Sequence, residues 1–429
     1  LPRPDDRRTR PRRTPRSAAR AARGSTYRLP RTGDPAPTRG ATLMRRVRFA
    51  VVGKGLFGSA AARHLAEAGE EVLLVGPDEP MEPHRHAGVF ASHHDAARIT
   101  RVLDRDPLWA GLARASLDRY DALEAATGVR FHHPHPVLYA DAGTGDLTEA
   151  VHSTALALEA ELVAATPPPA LSLPEGARTR GERGAAGWID PRRLVQAQTL
   201  AALAAGARVL RTPVWALREA SADGTRLILD DGSEVLAERV LLCTGAFSEP
   251  VGLTSGLPLW TEGRTVVLAR VEAPLAERLA ALPCLLLDTP SADLADLYLV
   301  PPVTYPDGAA WVKIGSGSIV RRIDALDELQ DWFRCAPPLE DVERLTAALH
   351  ALVPDLVGAE LRTAQCAATL TASGRPLIDW VEPGRVAIAC GGNGKGAKSS
   401  DEIGRLGAAL LTETAAAGAL DPFRIDGAR

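Results

Sequence analysis

The sequence predicts an α/β protein with a Rossmann-type dinucleotide-binding domain and a substrate domain built on a mixed β-sheet. The first observation is an apolar strand at residues 47–52 that runs into Gly53-Lys-Gly-Leu-Phe-Gly58, followed by a small-residue helix at 59–68 and a second apolar strand at 72–75. The second is a pair of strand-to-glycine junctions at 240–246 and 385–398. Because these pieces lie at both ends and in the middle of the chain, we expect discontinuous domains.

The other elements follow from apolar periodicity and turn signals. Asp190 before Pro191 predicts a helix that ends near residue 205, since Asp is a preferred N-cap and Pro a preferred first residue. The segment 256–335 is predicted as strands broken by Pro and Gly, and 166–174 as a Pro-rich connection. Further helices are predicted at 107–127, 339–352 and 400–412, and further strands at 137–140, 208–212, 227–229, 234–242 and 385–389.

Composition places the chain among globular enzymes of two or three domains, with 429 residues, 45% apolar and 24% charged. Residues 1–43 hold twelve Arg and three Asp, so the rest of a chain of net charge −3 carries about −12. An acidic body argues against nucleic acid as a partner. No apolar run is long enough to cross a bilayer. The five scattered Cys fit neither metal spacing nor a disulfide framework, which suits a reducing cytoplasm. We also expect a monomer.

The first 43 residues are predicted as a disordered, Arg-rich leader, because they have no hydrophobic period and could not bury enough surface to fold. Arg-Arg pairs occur there without a following apolar run, which argues against an export signal. An Arg-rich, acid-poor segment also fits a transit peptide. We favour Met44 as the natural start, with a translated leader before it.

Lysine is rare in this chain and confined to glycine-punctuated loops. Only four of the fifty basic residues are Lys, namely Lys54, Lys313, Lys395 and Lys398. Lys carries a compact ammonium whose pKa responds to burial, whereas Arg is a wide fork that stays charged. We expect Lys to be kept where the fork does not fit or a tunable amine is needed, although such a pattern also arises by chance.

The Gly53–Gly58 segment fits G-x-G-x-x-G in its required context, after a strand and before a helix. Gly53 permits the tight turn, Gly55 the approach of the pyrophosphate, and Gly58 close packing of helix and strand. The acid that should end the second strand is replaced by Gly76, so Asp78 or Glu79 would take its role from the loop. The motif predicts a dinucleotide without deciding between NAD and FAD.

Two further segments favour FAD. Residues 240–246 form an apolar strand end that runs into Gly245, a second backbone approach to a dinucleotide. Residues 390–398 form a glycine-rich loop before the last helix, so a helix N-terminus and Lys398 bring positive charge together. Reduced flavin is an anion at its N1–C2=O edge, where such charge helps.

These residues resemble the monomeric sarcosine oxidase and N-methyltryptophan oxidase family, within the D-amino-acid oxidase superfamily of FAD enzymes. The resemblance covers residues 49–411. It rests on five blocks, which are Gly53–Gly58, Ser92-His-His-Asp-Ala-Ala-Arg98-Ile-Thr-Arg101, Trp311-Val-Lys313-Ile-Gly, Gln365-Cys366 with Leu377-Ile-Asp379, and Gly394-Lys-Gly-Ala-Lys398-Ser-Ser.

The resemblance implies a role for each matching residue. Lys313 would activate O2 above the flavin, because a fixed cation stabilises the superoxide anion that forms. Arg101 and Lys398 would grip the substrate carboxylate, and Tyr298 would be an active-site tyrosine. Cys366 would bind FAD covalently through its 8α-methyl carbon. The predicted cofactor contacts are Gly53, Gly55, Gly58, Ser92, Arg98, Val214, Gly245, Cys366, Gly394, Gly396 and Lys398.

Several of these residues also fit a purely structural interpretation. Cys366 also fits an inert buried thiol, Tyr298 a core residue, and Arg98 with Arg101 a solvated helix face. His132-His133-Pro-His135 looks like a metal cluster, but no acid or Cys of matching spacing stands near, so we predict a loop or strand edge and no metal.

Four departures from the family pattern affect the expected substrate. The family histidine four residues after the lysine is Gly317, the aromatic after the flavin cysteine is Ala368, and Lys395 and Ala397 replace a histidine and a bulky residue. These changes predict a larger pocket with an added charge at its wall. We therefore expect a larger amino or cyclic imino acid than sarcosine, with a second anionic group for Lys395.

The predicted activity is oxidation of the C–N bond of a secondary or cyclic amino acid to an imine, with FAD as cofactor and O2 as acceptor giving H2O2. Two alternatives stay open, a NAD(P)-dependent dehydrogenase and a flavin dehydrogenase that passes electrons to a protein. After the leader, the predicted domain segments are 44–100, 186–255 and 360–429 for FAD binding and 101–185 and 256–359 for the substrate domain.

Overall fold

The computed structural model describes residues 45–92, 94–143, 146–219 and 224–425. The predicted leader and His93 lie outside these ranges. The strands are β1 (Arg45–Val52), β2 (Val72–Val75), β3 (Arg98–Thr100), β4 (His132–Pro134), β5 (Val137–Asp141), β6 (Arg178–Glu182), β7 (Gly187–Ile189), β8 (Arg208–Leu210), β9 (Val214–Glu219), β10 (Thr225–Leu229), β11 (Glu234–Leu242), β12 (Leu259–Val271), β13 (Cys284–Asp288), β14 (Asp296–Thr304), β15 (Ala310–Ile323), β16 (Leu361–Thr371), β17 (Leu377–Glu382) and β18 (Val386–Cys390). The α-helices are α1 (Leu56–Glu67), α2 (Pro107–Leu117), α3 (Tyr120–Thr127), α4 (Asp146–Ala157), α5 (Pro191–Ala204), α6 (Ala273–Leu279), α7 (Leu326–Arg334), α8 (Leu339–Leu352) and α9 (Ser400–Leu411).

The eight-stranded sheet has the order β17-β18-β11-β1-β2-β8, in which β17 is antiparallel to β18, while β10 pairs with β11 and β9 with β10. Strands β1, β2 and β8 pair in parallel, as do β1 with β11 and β11 with β18. All four residues of β2 and all five of β18 are buried, which is the continuous apolar pattern of a parallel strand covered on both faces. Three distant parts of the chain therefore meet in this sheet.

Helices α1 and α9 pack against each other beside this sheet, and small residues allow their close approach. A Cβ on Gly404 would lie only 2.5 Å from Ala60 Cβ. At the start of α9 the fully buried Asp401 accepts hydrogen bonds from Arg63 and Gln198, both at 2.7 Å. An acid at a helix N-terminus is favoured by the helix dipole, so this cluster fixes where the loop before α9 begins its helix.

The seven-stranded sheet has the order β16-β12-β15-β14-β13-β5-β6 and is mixed, since β13 and β5 are parallel and the other pairs antiparallel. It carries Lys313 on β15, Tyr298 on β14 and Cys366 on β16. A three-stranded sheet, β3-β7-β4, carries Arg98. Helix α8 packs on the seven-stranded sheet through Leu345 and other buried side chains.

The structure confirms most predicted elements and corrects some. Asp190 caps α5 by accepting a hydrogen bond from Arg193 N at 3.1 Å, as its sequence predicts. The single helix predicted at 107–127 is two helices, α2 and α3, and Asp106 caps the first by accepting from Leu108 N. The sequence analysis missed α4 and β9, and its prediction of strands throughout 256–335 was wrong where the helices α6 and α7 form. No helix among the described ranges is long and apolar enough to span a membrane.

The three histidines at 132–135 lie on and beside the short strand β4. His132 Nε2 is 2.8 Å from Ala185 O, His135 Nε2 is 2.7 Å from Leu282 O, and the His133 ring stacks on Trp188 at 3.8 Å between centroids. Burial lowers the pKa of His133 to about 4. Each ring is thus engaged by the protein itself, which agrees with the predicted strand edge.

Candidate active site

The predicted dinucleotide loop joins β1 to α1 and is tightly packed. Gly53 has φ +108°, and a Cβ there would lie 2.3 Å from Cys243 O at the end of β11. A Cβ on Gly58 would lie 1.8 Å from Gly53 O, so only glycine fits where the helix meets the strand. Cys243 N donates to Val52 O at 2.7 Å, which places the junction after β11 directly beside the loop.

The end of β2 has an unusual arrangement of charge. A Cβ on Gly76 would lie 2.6 Å from Lys54 N, so the backbone of Lys54 occupies the space of a side chain there. Asp78 pairs with Lys54 Nζ at 2.6 Å and with Arg211. Glu79 is held by Arg192, with one contact at 2.7 Å. Both acids are committed to cations, and their use for a ribose stays a prediction.

One cavity of about 1070 Å³ brings the predicted site residues together. Gly58 is not among its lining residues and is buried behind the loop. The predicted residues that line it are Gly53, Gly55, Ser92, Arg98, Arg101, Val214, Gly245, Tyr298, Lys313, Cys366, Gly394, Gly396 and Lys398.

Four charged side chains form a cluster at one wall of the cavity, which we call the Asp104 cluster. Asp104 Oδ2 lies 2.9 Å from Lys398 Nζ and 3.1 Å from Arg101 Nη2, and Asp104 Oδ1 lies 2.7 Å from Lys395 Nζ. Asp104 and Lys398 are each 1% exposed. Three cations therefore share one carboxylate, and the buried Arg101 Nε has no hydrogen-bond partner among the described residues. A surplus of positive charge around the buried Lys398, with an unused donor on Arg101, fits an anionic ligand.

The charges of this cluster shift one another's pKa values. Burial alone raises the pKa of Asp104, but Lys398, Arg101 and Lys395 outweigh it and hold that pKa well below the usual range. Burial, together with the charge of Arg101, lowers the pKa of Lys398 to about 8, although Asp104 opposes the shift. A lowered pKa is what lysine scarcity predicts for a retained amine, and the role of Lys398 stays a prediction.

A second buried carboxylate positions the segment that carries Arg101 and Asp104. Glu182 accepts hydrogen bonds from Val102 N at 2.7 Å, from Leu103 N at 3.1 Å and from Tyr139 Oη at 2.5 Å. Backbone amides that would be unpaired between β3 and α2 are satisfied in this way. Sequence reasoning missed Asp104 and Glu182, although the Arg101-x-x-Asp104 spacing was a visible signal for the former.

Lys313 is 2% exposed and reaches from β15 to the segment before β3. Its Nζ lies 2.6 Å from Asp95 Oδ2 and also donates to Ala97 O. Tyr305 Oη donates to Asp95 Oδ1 at 3.0 Å. Burial alone raises the pKa of Asp95, but the charges of Lys313 and Arg98 lower it to about 2. Asp95 stood inside one of the blocks on which the family resemblance rests, yet sequence reasoning gave it no role.

Tyr298 and Cys366 lie on two strands of the seven-stranded sheet that flank β15 and β12. A Cβ on Gly315 would lie 2.4 Å from Tyr298 Oη, so this glycine lets the ring cross β15. Burial, with a smaller contribution from Cys366, raises the pKa of Tyr298 well above its usual range. Cys366 is partly buried, burial raises the pKa of its thiol, and its carbonyl accepts from Trp332 Nε1 at 2.9 Å.

The departures from the family pattern do not simply enlarge the pocket. A Cβ on Gly317 would lie 2.1 Å from Asp296 Oδ2, so the carboxylate of Asp296 takes the space that the missing side chain leaves. Asp296 lines the cavity and is held by Ser318 Oγ at 2.5 Å. The charge added by Lys395 is present as predicted, but Asp104 already accepts a hydrogen bond from it.

The cavity fits a long dinucleotide cofactor. It runs from the Gly53 loop and Val214 to the glycine-rich loop before α9, and side chains are excluded where backbone must come close. The N-terminus of α1 faces the first region, as phosphate binding requires. Fold and site thus define an α/β protein whose dinucleotide-binding loop opens onto a cavity with a charged wall.

The chain belongs to the FAD dependent oxidoreductase family, whose model matches residues 48–410. It is 26% identical to the monomeric sarcosine oxidase of Streptomyces avermitilis, over 87% of this chain and 97% of that protein. Its fold is similar to that of NikD, an amino acid oxidase essential for nikkomycin biosynthesis, with a TM-score of 0.71, 19% identity and coverage of 89% and 98% of the two chains. The fold is also similar to that of L-proline dehydrogenase from P. horikoshii, with a TM-score of 0.69, 17% identity and coverage of 90% and 99%.

The chain is thus an FAD-dependent enzyme of the amine and amino-acid oxidase group, as the sequence blocks predict. The family match gives no support to the alternative of a NAD(P)-dependent dehydrogenase.

Proposed function

We propose that this enzyme oxidises the C–N bond of a secondary or cyclic amino acid to an imine and passes the electrons through FAD to O2. The observation that carries the proposal is the meeting of Arg101, Lys398, Lys313 and Cys366 in one cavity, although they come from four separate segments. FAD, when bound, accepts two electrons and two protons from the CH–NH unit. O2 takes them up as H2O2, and water hydrolyses an open-chain imine or the desaturated ring is released.

The Asp104 cluster supports a substrate that carries at least one carboxylate. Arg101 and Lys398 provide charge-assisted donors, and Arg101 Nε still lacks an acceptor. None of the predicted catalytic residues is a clear general base. The nearby carboxylates of Asp95 and Asp104 are weak bases, because the cations paired with them lower their pKa values. The amine therefore binds in its neutral form, its pKa lowered by burial beside cations.

The proposal includes a covalent link between Cys366 and FAD. The thiol sulfur replaces one hydrogen of the 8α-methyl group, a net two-electron oxidation for which O2 is the acceptor. Cys366 lines the cavity and is neither fully buried nor disulfide-bonded, which leaves its sulfur accessible to a cofactor there. A monomer located in the cytoplasm is also part of the proposal, and the five unpaired thiols support a reducing compartment.

The experiment is purification after expression with ample riboflavin, followed by an absorbance spectrum and a panel of amines scored for H2O2. The panel runs from sarcosine through cyclic imino acids to amino dicarboxylic acids. We expect a yellow protein that prefers members larger than sarcosine. A colourless protein would overturn the proposal, and turnover restricted to sarcosine-sized amines would overturn the substrate class.

A second candidate is a flavin dehydrogenase that hands its electrons to a protein acceptor. The observation that favours it is the ion pair of Lys313 with Asp95, which weakens the charge available to O2. Slow flavin reoxidation by O2, with fast turnover on an artificial electron acceptor, would support this candidate over the oxidase.

A further inference from the structure

The ion pair of Lys313 with Asp95 is the closest charge contact of the predicted O2 site. Lys313 Nζ lies 2.6 Å from Asp95 Oδ2, and its side chain is only 3% exposed. Asp95 is oriented by further contacts, including hydrogen bonds from Ala96 N at 2.8 Å and Tyr305 Oη at 3.0 Å and the approach of Arg98 Nε at 3.8 Å. Both Lys313 and Asp95 line the cavity. A carboxylate is therefore fixed directly against the ammonium group that would face O2.

The electrostatic consequence follows from the sign of the charge that develops. Reduction of O2 builds a negative charge, and nearby fixed positive charge lowers the barrier for that step. A carboxylate in contact with the ammonium makes the pair a dipole, whose potential falls off faster with distance than that of a lone cation. Together with Arg98, the Lys313–Asp95 pair carries one net positive charge. The positive potential at the predicted O2 site is therefore weakened but not abolished.

We propose that Asp95 determines which electron acceptor the enzyme uses, because its carboxylate restrains the reaction of the reduced enzyme with O2. This inference rests on one part of the proposed function, namely that Lys313 accelerates the reoxidation of reduced flavin by O2. The enzyme is then an oxidase whose flavin is reoxidised by O2 more slowly than Lys313 without its counter-ion would allow. Loss of the Asp95 charge speeds the transfer of two electrons and two protons from the reduced flavin to O2.

The test is the Asp95→Asn variant, whose amide keeps the shape of the side chain, removes its charge and offers one acceptor oxygen where the carboxylate offers Oδ1 to Tyr305 and Oδ2 to Lys313. The FAD-loaded enzyme is reduced with dithionite without O2 and freed of excess reductant. It is then mixed with O2, while the return of the oxidised-flavin absorbance gives the rate constant. We expect a rise of about tenfold or more over wild type. An unchanged or lower rate constant overturns the proposal, since a purely structural role of Asp95 predicts no gain.

A matched control is Asp379→Asn, which removes a carboxylate from another 2.6 Å ion pair, with Arg424, that does not line the cavity. Its reoxidation rate constant should equal that of wild type. If Asp95→Asn does not accumulate as folded protein, the Lys313→Met variant is compared with the Lys313→Met/Asp95→Asn double variant. The double variant lacks both partners of the ion pair, so neither Lys313 nor Asp95 leaves an unpaired buried charge. Faster reoxidation of the double variant supports the proposal, and equal rates overturn it.

A cofactor-free readout tests the ion pair itself. Denaturant unfolding of the apoprotein is measured for wild type, for Asp95→Asn, for Lys313→Met and for the double variant. We expect the double variant to be more stable than the sum of the single effects predicts, as for contacting charges. Additive effects would show that the pair does not form and would overturn the proposal. Because the reoxidation assay uses dithionite, it stays informative even if no amine reduces the flavin, the outcome that would sink the proposed function.

Discussion

Lys398 Nζ lies 2.9 Å from Asp104 Oδ2, and both side chains are buried at the wall of the cavity. The protein thus supplies its own carboxylate to the lysine that the family resemblance assigns to a substrate carboxylate. With Arg101 and Lys395 also on Asp104, the cluster keeps a surplus of two positive charges. Asp104 holds these cations in place before a substrate arrives, while their surplus charge remains available to it.

Asp104→Asn should destabilise the protein by about 3 kcal/mol at neutral pH, because it leaves buried cations without their counter-ion. The pKa of Asp104 is lowered in the folded protein, so its contribution is fully present above the unfolded value of about 4 and is lost as pH falls through the folded value. Denaturant unfolding at several pH values measures the difference. A loss well below 1 kcal/mol would show that Asp104 is not the shared counter-ion, and the exposed Asp231→Asn serves as the control.

The pKa of Lys398, lowered to about 8, predicts an alkaline loss of substrate binding. As pH rises through that value the ammonium loses its proton and one of the donors for a substrate carboxylate disappears. We expect kcat/KM to fall by about tenfold between about pH 7 and about pH 9.5, mainly through KM. Lys398→Arg should flatten this limb, since Arg keeps its charge. A limb that persists in the Arg variant would assign the titration to another group.

The same ionisation affects stability with the opposite sign. The folded pKa of Lys398 is lower than the unfolded value of about 10.4, so the unfolded chain binds the proton more tightly. This group therefore lowers stability below about pH 8 and ceases to do so as pH rises towards the unfolded value. Comparing wild type with Lys398→Met across this window isolates the effect from those of other lysines.

Local sequence predicted the elements that position the site, and long-range contacts explain what it missed. Gly53 and Gly58 predict the dinucleotide loop, because the steric limits that require glycine in such a turn come from residues close in the sequence or in the adjoining strand. The partners of Lys313 and Lys398 could not be predicted that way. Asp95 lies 218 residues from Lys313, and Asp104 lies 294 residues from Lys398. Within its own segment each acid is an ordinary charged residue. Only the folding of distant strands and loops against each other brings it to its lysine.

Gly317 shows the same limit in steric terms. Its lack of a side chain predicts open space when the chain is read alone, yet Asp296 of the neighbouring strand fills that space. The shape of the pocket here depends on Asp296, a cross-strand neighbour that cannot be identified from the sequence around Gly317.

Cys366→Ser should leave FAD removable by acid precipitation, whereas wild-type protein should keep its yellow colour in the pellet. The reason is that only a covalent thioether survives unfolding of the binding site. Absorbance of the pellet and supernatant measures the partition. Cys335→Ser is the matched control, because Cys335 is an exposed thiol and is not a lining residue of the cavity. Free flavin in the wild-type supernatant would contradict a covalent link.

Lys313→Met should slow flavin reoxidation by about a hundredfold or more, because the cation nearest the developing superoxide is lost. Met approximates the length of the side chain without its charge, so packing beside Ala97 is largely kept. Anaerobic reduction by an amine should change little, since Arg101 and Lys398, which we propose as the substrate-binding pair, are held by Asp104 and not by Lys313. Stopped-flow measurement of the two half-reactions separates these effects. Equal reoxidation in wild type and variant would assign O2 activation to another group and favour the flavin dehydrogenase.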